Sequence, residues 1–215
     1  MCKSVLFGIC IGDGYISSKN RLIIRHGSKQ KDYILFKKNR IESILKRSIN
    51  IYTYKYNGYE CYQFGIGHPY FKCLRKWIYK NNKKYISKNV LSKMDEEAIA
   101  FWYMDDGSLS AKKRKGIIHA YELSISTYCS EKEVENIISF FKEKFNIKFT
   151  KRKNKGFFCI RCGTKEARKF IKIVSPFICD SMFYKINMEH KGCYNRPPKV
   201  FINYGEGIVQ TTNFI

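Results

Sequence analysis

Two apolar segments of this chain share one pattern and one ending. Residues 6–11 and 99–104 are apolar at almost every position, and each segment runs into an Asp-Gly pair that contributes Asp13 or Asp106. A segment that is apolar on all sides predicts a helix that is buried on all sides. The sequence therefore predicts two buried helices, each with a carboxylate at its C-terminal end, that face each other across a pseudo-two-fold axis.

The residues that follow Asp13 predict four more elements. These are a hairpin over 15–25, a helix over 31–46, a hairpin over 51–67 and a helix over 69–79. Asn57 and Gly58 predict a type I′ turn in the second hairpin, because both residues accept the positive φ angles of that turn. The helix over 31–46 is predicted from its apolar stripe, which consists of Ile34, Leu35, Ile41, Ile44 and Leu45.

The same order of elements is predicted for the second half. These elements are a helix over 95–106, a hairpin that ends within 122–127, a helix over 130–145, a hairpin over 147–162 and a helix from about Thr164. Ser130 and Glu133 form a capping-box pattern at the start of one of these helices. The prediction is an α+β fold of two αββαββα halves with two antiparallel sheets in a saddle. The halves comprise residues 1–80 and 95–186, with a linker at 81–94 and a C-terminal tail at 187–215.

The charge balance indicates a polyanionic partner. Lys and Arg number 41 against 18 Asp and Glu, which gives a net charge of +23 in 215 residues. A basic surface binds nucleic acid by releasing counterions from the phosphates. An acidic membrane surface is the alternative partner, but no apolar run approaches the ~18 residues of a membrane span.

The cysteines do not indicate a disulfide framework or a zinc site. The nine cysteines lack regular spacing, which fits a reducing compartment. Cys159 and Cys162 are three positions apart on a predicted strand, so that their side chains would point to opposite faces. His190 and Cys193 form an equally isolated pair.

The predicted strands carry side chains that are suited to contact DNA. Basic, aromatic and amide residues recur there, namely Arg21, Arg25, Tyr52, Tyr54, Tyr56, Gln63, Thr150, Arg152, Lys153 and Arg161. A sheet with one face on helices can place its other face in a major groove and read base edges. Aromatic and β-branched residues also favour strands for local reasons, so that any single position has both interpretations.

The two helix-end carboxylates predict a divalent cation. A carboxylate is unfavourable at a helix C-terminus, where the dipole is already negative, and a second carboxylate nearby adds repulsion. Mg²⁺ compensates such charge with the help of phosphate oxygens and water. The pattern therefore predicts a site for phosphodiester chemistry.

The two segments resemble the paired motifs of the LAGLIDADG homing endonucleases, in the single-chain form with two motifs. Residues 81–89, 102–107 and 176–185 also resemble blocks of one branch of that family, and the resemblance covers residues 4–186. It implies a monomeric endonuclease that makes a double-strand break in a long DNA site. It also implies Mg²⁺ as the cofactor, as two or more ions, with Mn²⁺ as a substitute.

The resemblance also implies roles for individual residues. Asp13 and Asp106 match the metal-binding catalytic aspartates, and the backbone carbonyl of Gly12 matches a further metal ligand. Lys84 and Lys185 match active-site bases or charge stabilisers. The positions where the family carries polar residues near the scissile phosphates are occupied by His26 and Thr127. Asp105 is expected to support the site or to have only a local role.

Some features leave the function open. Gly8 fits the small residues of the family's helix interface, but Phe101 occupies the corresponding place in the second motif, so that an asymmetric helix contact is expected. Relatives that assist intron splicing offer a second function, with intron RNA as the partner. Relatives that only regulate offer a third, although they lose the carboxylates that are present here.

Overall fold

The structure of the protein, a computed structural model, describes residues 3–154 and 156–188. Most of the predicted C-terminal tail, including His190 and Cys193, lies outside the described residues.

The first half contains three helices and four strands that bear on the site. They are α1 (Ser4–Ile11), β1 (Tyr15–Ile16), β2 (Arg21–Gly27), α2 (Lys31–Leu45), β3 (Ile51–Tyr56), β4 (Tyr59–Gly67) and α3 (Tyr70–Ile78). Asn57 and Gly58 have φ angles of 48° and 80°, as the predicted hairpin turn requires. The segment predicted as a linker contains β6 (Lys83–Lys84), which pairs with β5 (Tyr79–Lys80) just before the segment, and the short helix α4 (Lys88–Leu91).

The second half repeats this order. Its elements are α5 (Glu96–Asp106), β7 (Gly107–Arg114), β8 (Ile117–Cys129), α6 (Glu131–Phe145), β9 (Thr150–Asn154), β10 (Phe157–Gly163) and α7 (Thr164–Val174). Two 3-10 helices follow, at Ser175–Phe177 and Asp180–Lys185. The capping box of Ser130 and Glu133 is present at the start of α6.

Each half contributes one four-stranded antiparallel sheet. The strand order is β1-β2-β4-β3 in the first and β7-β8-β10-β9 in the second. The two orders correspond strand by strand, which confirms the predicted α+β class and the duplication. Helices cover one face of each sheet and leave the other to solvent, which is the usual arrangement of antiparallel sheets.

The two motif helices α1 and α5 pack against each other at the centre of the molecule. Every residue of α1 is buried, as is the run from Ala98 to Met104 in α5. A Cβ built on Gly8 would overlap the backbone carbonyl of Ala98, so the two helices approach as closely as glycine permits. Phe101 instead stacks on Phe36 of α2, with ring centroids 5.4 Å apart, which accounts for the expected asymmetry.

The buried stripe of α2 differs from the prediction. Leu35 is 37% exposed, whereas Lys37 is completely buried between Ile34 and Ile41. The spacing of these three buried positions follows the helical period, so Lys37 lies on the core side of α2, although the stripe predicted from the sequence did not include it. A buried lysine requires a partner, which in this structure is the carboxylate of Asp105. In the described part of the chain, no helix has both the length and the apolar character needed to cross a bilayer.

We expect Gly8→Ala to destabilise the protein by forcing α1 away from α5. Overpacking of a close helix contact costs about 1–3 kcal/mol, which corresponds to a drop of about 3–10 °C in the midpoint of thermal unfolding for a chain of this size. The matched control is Gly67→Ala, since a Cβ built on Gly67 meets no atom within 4 Å. Equal midpoints for the two variants would contradict the close contact.

Candidate active site

The packing of α1 against α5 brings the two Asp-Gly pairs together. Asp13 directly follows the C-cap of α1, and Asp106 is the last residue of α5. The backbone N–H of Asp13 donates to Oδ2 of Asp105 at 2.8 Å, so the C-terminal ends of the two helices are in direct contact. The side chain of Asp13 is 44% exposed, which leaves its carboxylate accessible from solvent.

Two lysines bind the ends of the two helices in the same way. Lys84 Nζ donates to the carbonyl oxygens of Ile11 and Gly12, which precede Asp13. Lys185 Nζ donates to the carbonyl oxygens of Met104 and Asp105, which precede Asp106, at 2.5 and 3.2 Å. An ammonium group at a helix C-terminus satisfies free carbonyls and offsets the negative end of the dipole. The structure thus places both predicted lysines next to the predicted aspartates.

The carbonyl of Gly12 also lies at the site. In this structure it accepts a hydrogen bond from Lys84 Nζ. A Cβ built on Gly12 would overlap the side chain of Asp105, so the absence of a side chain at this position makes room for that carboxylate.

The sequence left two roles open for Asp105, and its contacts fit a supporting role, although its partner Lys37 was not predicted. Its side chain is fully buried and accepts hydrogen bonds on both oxygens. Oδ1 accepts from Lys37 Nζ at 2.5 Å and from the Tyr33 hydroxyl at 2.7 Å, while Oδ2 accepts from the backbone of Asp13. The one available signal was the lysine in an otherwise apolar helical stripe, because a lysine on a core face requires a buried anion.

His26 lies beside the carboxylates but on the core side of its sheet. Its Nδ1 is 2.8 Å from Oε1 of Gln30 and 3.9 Å from Oδ2 of Asp13, and its Nε2 is 3.1 Å from Nζ of Lys37. The ammonium can only donate, so Nε2 accepts and Nδ1–H donates to Gln30. Burial, with the nearby charge of Lys37, lowers the pKa of His26 to about 4, so the ring is neutral at physiological pH.

The carboxylates of the site repel one another electrostatically. Burial and the charges of Asp105 and Asp13 raise the pKa of Asp106 from 3.8 to about 7. Burial and the charge of Asp105 also raise the pKa of Asp13. Burial acts in the same direction on Asp105, but Lys37, the backbone N–H of Asp13 and the Tyr33 hydroxyl together outweigh it and lower that pKa. Two carboxylates that resist ionisation, next to a third that is ionised, form an oxygen-rich site that a divalent cation fits.

Burial also affects the two lysines at the helix ends. It lowers the pKa values of Lys84 and Lys185, although the neighbouring aspartates act in the opposite direction. The site therefore combines partly desolvated carboxylates and partly desolvated ammonium groups within a small space.

Five of the residues predicted to contact DNA share the exposed face of the first sheet. Arg25 is paired with Gln63 across β2 and β4, and Gln63 is paired with Tyr52 on β3, so these side chains point to one face. Tyr54 and Arg21 follow on the same face by the alternation of their strands. Arg25 Nε donates to Gln63 Oε1 at 2.5 Å, and Arg21 Nη2 donates to the carbonyl of Gly65 at 3.0 Å.

In the second sheet, the residues predicted to contact DNA lie on two different faces. Arg161 is paired with Ser124 and Thr150, and Arg152 is paired with Cys159, which places both arginines on the exposed face. Lys153 points to the opposite, helix-covered face, although its side chain is exposed. It shares that face with Lys151, which forms ion pairs with two glutamates of α6. The alternation of the strand, which the sequence prediction did not apply here, explains this difference.

Thr127 lies in a β-bulge, and its hydroxyl forms hydrogen bonds within its own sheet. The register of β8 and β10 shifts between Phe158 and Cys159, opposite Thr127. The hydroxyl of Thr127 donates to the carbonyl of Phe158 at 2.6 Å and accepts from the Cys129 thiol at 3.0 Å. Thr127 and His26 therefore do not lie on the exposed sheet faces with the other predicted contacts, and their environments differ from each other.

We expect the metal-free protein to lose stability as the pH rises through the pKa of Asp106. The pKa in the folded state, about 7, is above the unfolded value of 3.8, so the contribution is present at low pH and lost between about pH 4 and pH 7. Asp106→Asn should be more stable than the wild type at pH 8, on the order of 2 kcal/mol after allowance for partial solvent exposure. This advantage should nearly vanish at pH 4.5. Urea unfolding with EDTA at both pH values measures it, and an advantage independent of pH would contradict the assignment.

Known proteins are similar to this chain in sequence and in fold. A sequence model of the LAGLIDADG DNA endonuclease family matches residues 3–170. Probable intron-encoded endonuclease 1 of Wickerhamomyces canadensis is 26% identical over 199 residues, which cover 86% of this chain and 83% of that protein. Cytochrome b mRNA maturase bI2 of Saccharomyces cerevisiae is 33% identical over 129 residues, which cover 52% of this chain and 26% of that protein.

A solved structure agrees with the architecture. The homing endonuclease I-WcaI, bound to its DNA recognition sequence, matches with a TM-score of 0.71 at 24% identity, over 87% of this chain and 86% of that one. This likeness confirms the predicted fold. Because the family match extends over most of the sequence and includes both Asp-Gly motifs, the chain belongs to the LAGLIDADG DNA endonuclease family.

Proposed function

We propose that this protein is a site-specific homing endonuclease that makes a metal-dependent double-strand break in a long DNA target. The observation that carries the proposal is the contact between the C-terminal ends of α1 and α5, where Asp13 and Asp106 lie and where each end is bound by a lysine. The names of the endonuclease of W. canadensis and of I-WcaI, which was solved on DNA, support the same activity.

Asp13 and Asp106 would hold the cation, with the carbonyl of Gly12 as a further oxygen ligand. Mg²⁺ is the proposed cofactor, as two or more ions, and Mn²⁺ is the proposed substitute. The bound metal would supply an activated water and a counter-charge for the phosphate. The raised pKa values of both aspartates support this assignment, because a cation removes the repulsion that opposes their ionisation.

Lys84 and Lys185 would offset the charge that develops on each scissile phosphate. Each ammonium group lies at the same helix end as one aspartate, so that each strand of a duplex would meet one aspartate and one lysine. A preorganised donor in a partly dry site stabilises such charge more than an exposed lysine does. The lowered pKa values of these lysines also suit a role in ordering the attacking water.

The protein would bind DNA as a monomer, through the exposed faces of its two sheets. Arg21, Arg25, Tyr54 and Gln63 would contact one half of the target, and Arg152 and Arg161 the other, in successive major grooves. Two related sheets with different side chains suit a pseudo-palindromic site. In this proposal His26 and Thr127 act at the centre of the complex or through their neighbours, and Lys153 contacts phosphate from the edge.

An RNA-splicing role is the second candidate function. The yeast relative is named a maturase, and the net charge of +23 suits RNA as well as DNA. Competition of folded intron-like RNA against duplex DNA distinguishes the two, because only a maturase would prefer the RNA.

The primary test identifies the target and the cleavage in one experiment. Duplexes bound in Ca²⁺ are selected from a random library, the complexes are transferred to Mg²⁺, and the new ends are sequenced. We expect enrichment of a site of roughly two helical turns that is cut at one place in each strand. Enrichment without any cutting would contradict the endonuclease proposal.

On the selected site, Asp13→Asn or Asp106→Asn should abolish double-strand cleavage. The rate should fall by at least about 100-fold because the site loses a charged metal ligand, while the affinity in Ca²⁺ should stay within a few-fold of wild type. Asp32→Asn, on the exposed first turn of α2, is the matched control and should cut normally. A wild-type rate for either active-site variant would refute the assignment.

Binding should depend steeply on salt. With ~8 phosphate contacts, the affinity should fall on the order of 10³–10⁵ between 50 and 200 mM salt. Fluorescence anisotropy with the selected duplex in Ca²⁺ measures this slope. A nearly flat response would exclude the basic sheet faces as the principal contact surface.

A further inference from the structure

The two halves of the site differ at one buried pair. We propose, on the basis of the function proposed above, that the pair of Lys37 and Asp105 is a positioning device for Asp13 alone. Loss of this pair would then slow the cleavage of one DNA strand far more than that of the other.

The contacts of Asp105 lead directly to Asp13. One carboxylate oxygen accepts the backbone N–H of Asp13 at 2.8 Å, and the other is held by Lys37 at 2.5 Å and by Tyr33 at 2.7 Å. The α5 helix thus fixes the backbone of the aspartate that follows α1. A bond to the backbone of Asp13 determines where its side chain starts, and therefore where its carboxylate can reach.

Within the described residues, the second half has no equivalent of this pair. Gly12 occupies the position in the first motif that Asp105 occupies in the second, and it carries no side chain to reach towards Asp106. In α6, which corresponds to α2, the buried Ile137 lies where α2 has Lys37. The buried carboxylate of α6, Glu133, accepts hydrogen bonds from the backbone N–H groups of Ile86 and Ser130. Asp106 instead receives a side-chain hydrogen bond from Trp102 of its own helix.

The polar groups around the pair follow the same asymmetry. His26 extends the network, since its Nε2 is 3.1 Å from Lys37 Nζ and its Nδ1 is 3.9 Å from Asp13 Oδ2. Thr127, at the corresponding place in the other half, directs its hydroxyl to the carbonyl of Phe158. The Asp13 side therefore has a connected polar network, which the described part of the chain does not repeat on the Asp106 side.

A purely structural role is the competing explanation, since the pair also connects α2 with α5. The chain offers a matched control, because Arg40 and Glu97 connect the same two helices through a bidentate ion pair at 2.5 and 2.6 Å. Glu97 is about 13 Å along the helix from Asp106, at 1.5 Å per residue. Removal of this second pair tests the connection between the helices without touching the site.

The experiment measures the cleavage of each strand separately. The selected duplex is labelled on one strand at a time, and single-turnover rates are measured in Mg²⁺ for the wild type and three double variants. Lys37→Met with Asp105→Ala removes both the charge and the acceptor for Asp13. Lys37→Met with Asp105→Asn keeps an oxygen acceptor, and Arg40→Met with Glu97→Ala is the control. Double variants avoid an unpaired buried charge, which would unfold the protein by itself.

We expect the alanine double variant to change the ratio of the two strand rates by on the order of 10- to 100-fold and to accumulate nicked DNA. The asparagine double variant should restore most of that ratio, and the control should leave it at the wild-type value. A loss of folded protein would lower both rates together, so an unchanged ratio in the alanine double variant would overturn the inference.

A second measurement does not depend on cleavage. In the metal-free protein, the amide proton of Asp13 is bonded to a carboxylate, and its NMR resonance should move upfield in the alanine double variant but not in the control. If the wild type fails to cut its selected site, the proposed function is refuted and this shift alone decides on the positioning role. If the wild type cuts and the resonance does not move, the positioning role is refuted and the endonuclease stands.

Discussion

The close crossing of α1 and α5 is the constraint on which the rest of this molecule depends. Gly8 lies against the backbone of Ala98, so the two helices run together to ends that meet. Each end is negative because of its free carbonyls, and each carries an aspartate. The fold therefore concentrates negative charge at one point of a chain whose net charge is +23. The neighbouring elements carry the groups that compensate this negative charge.

The compensating lysines are held by elements outside the two sheets. Lys84 lies on the β5–β6 hairpin, whose turn residue Asn82 accepts from Arg75, and Arg75 also donates to the carbonyl of Ile16 next to α1. The backbone of Lys185 accepts from the hydroxyl of Tyr103, which belongs to α5 itself. Each ammonium group is thus fixed relative to the helix end that it binds, which limits the entropy lost when the site is organised.

The sequence predicted the elements well because their signals are local. Uniformly apolar segments, a capping box and an Asn-Gly turn each determine a structure within a few residues. The position of Lys84 and Lys185 followed only from resemblance, because no local pattern links a lysine to a distant helix end. The pairing of Lys37 with Asp105 was not predicted for the same reason, since it joins α2 of one half to α5 of the other. The face on which Lys153 lies could have been predicted from the sequence, because side chains alternate between the two faces along a strand.

The contact between Gly12 and Asp105 shows why two unequal halves can do what two identical halves cannot. An aspartate at both positions would place a second side chain in space that the first carboxylate already occupies. A glycine at both positions would leave Lys37 buried without an anion, which costs several kcal/mol by general estimates. Glycine on one helix and aspartate on the other satisfy both conditions. The asymmetry is therefore a requirement of packing and charge at the helix ends, and any difference between the two half-sites in chemistry begins there.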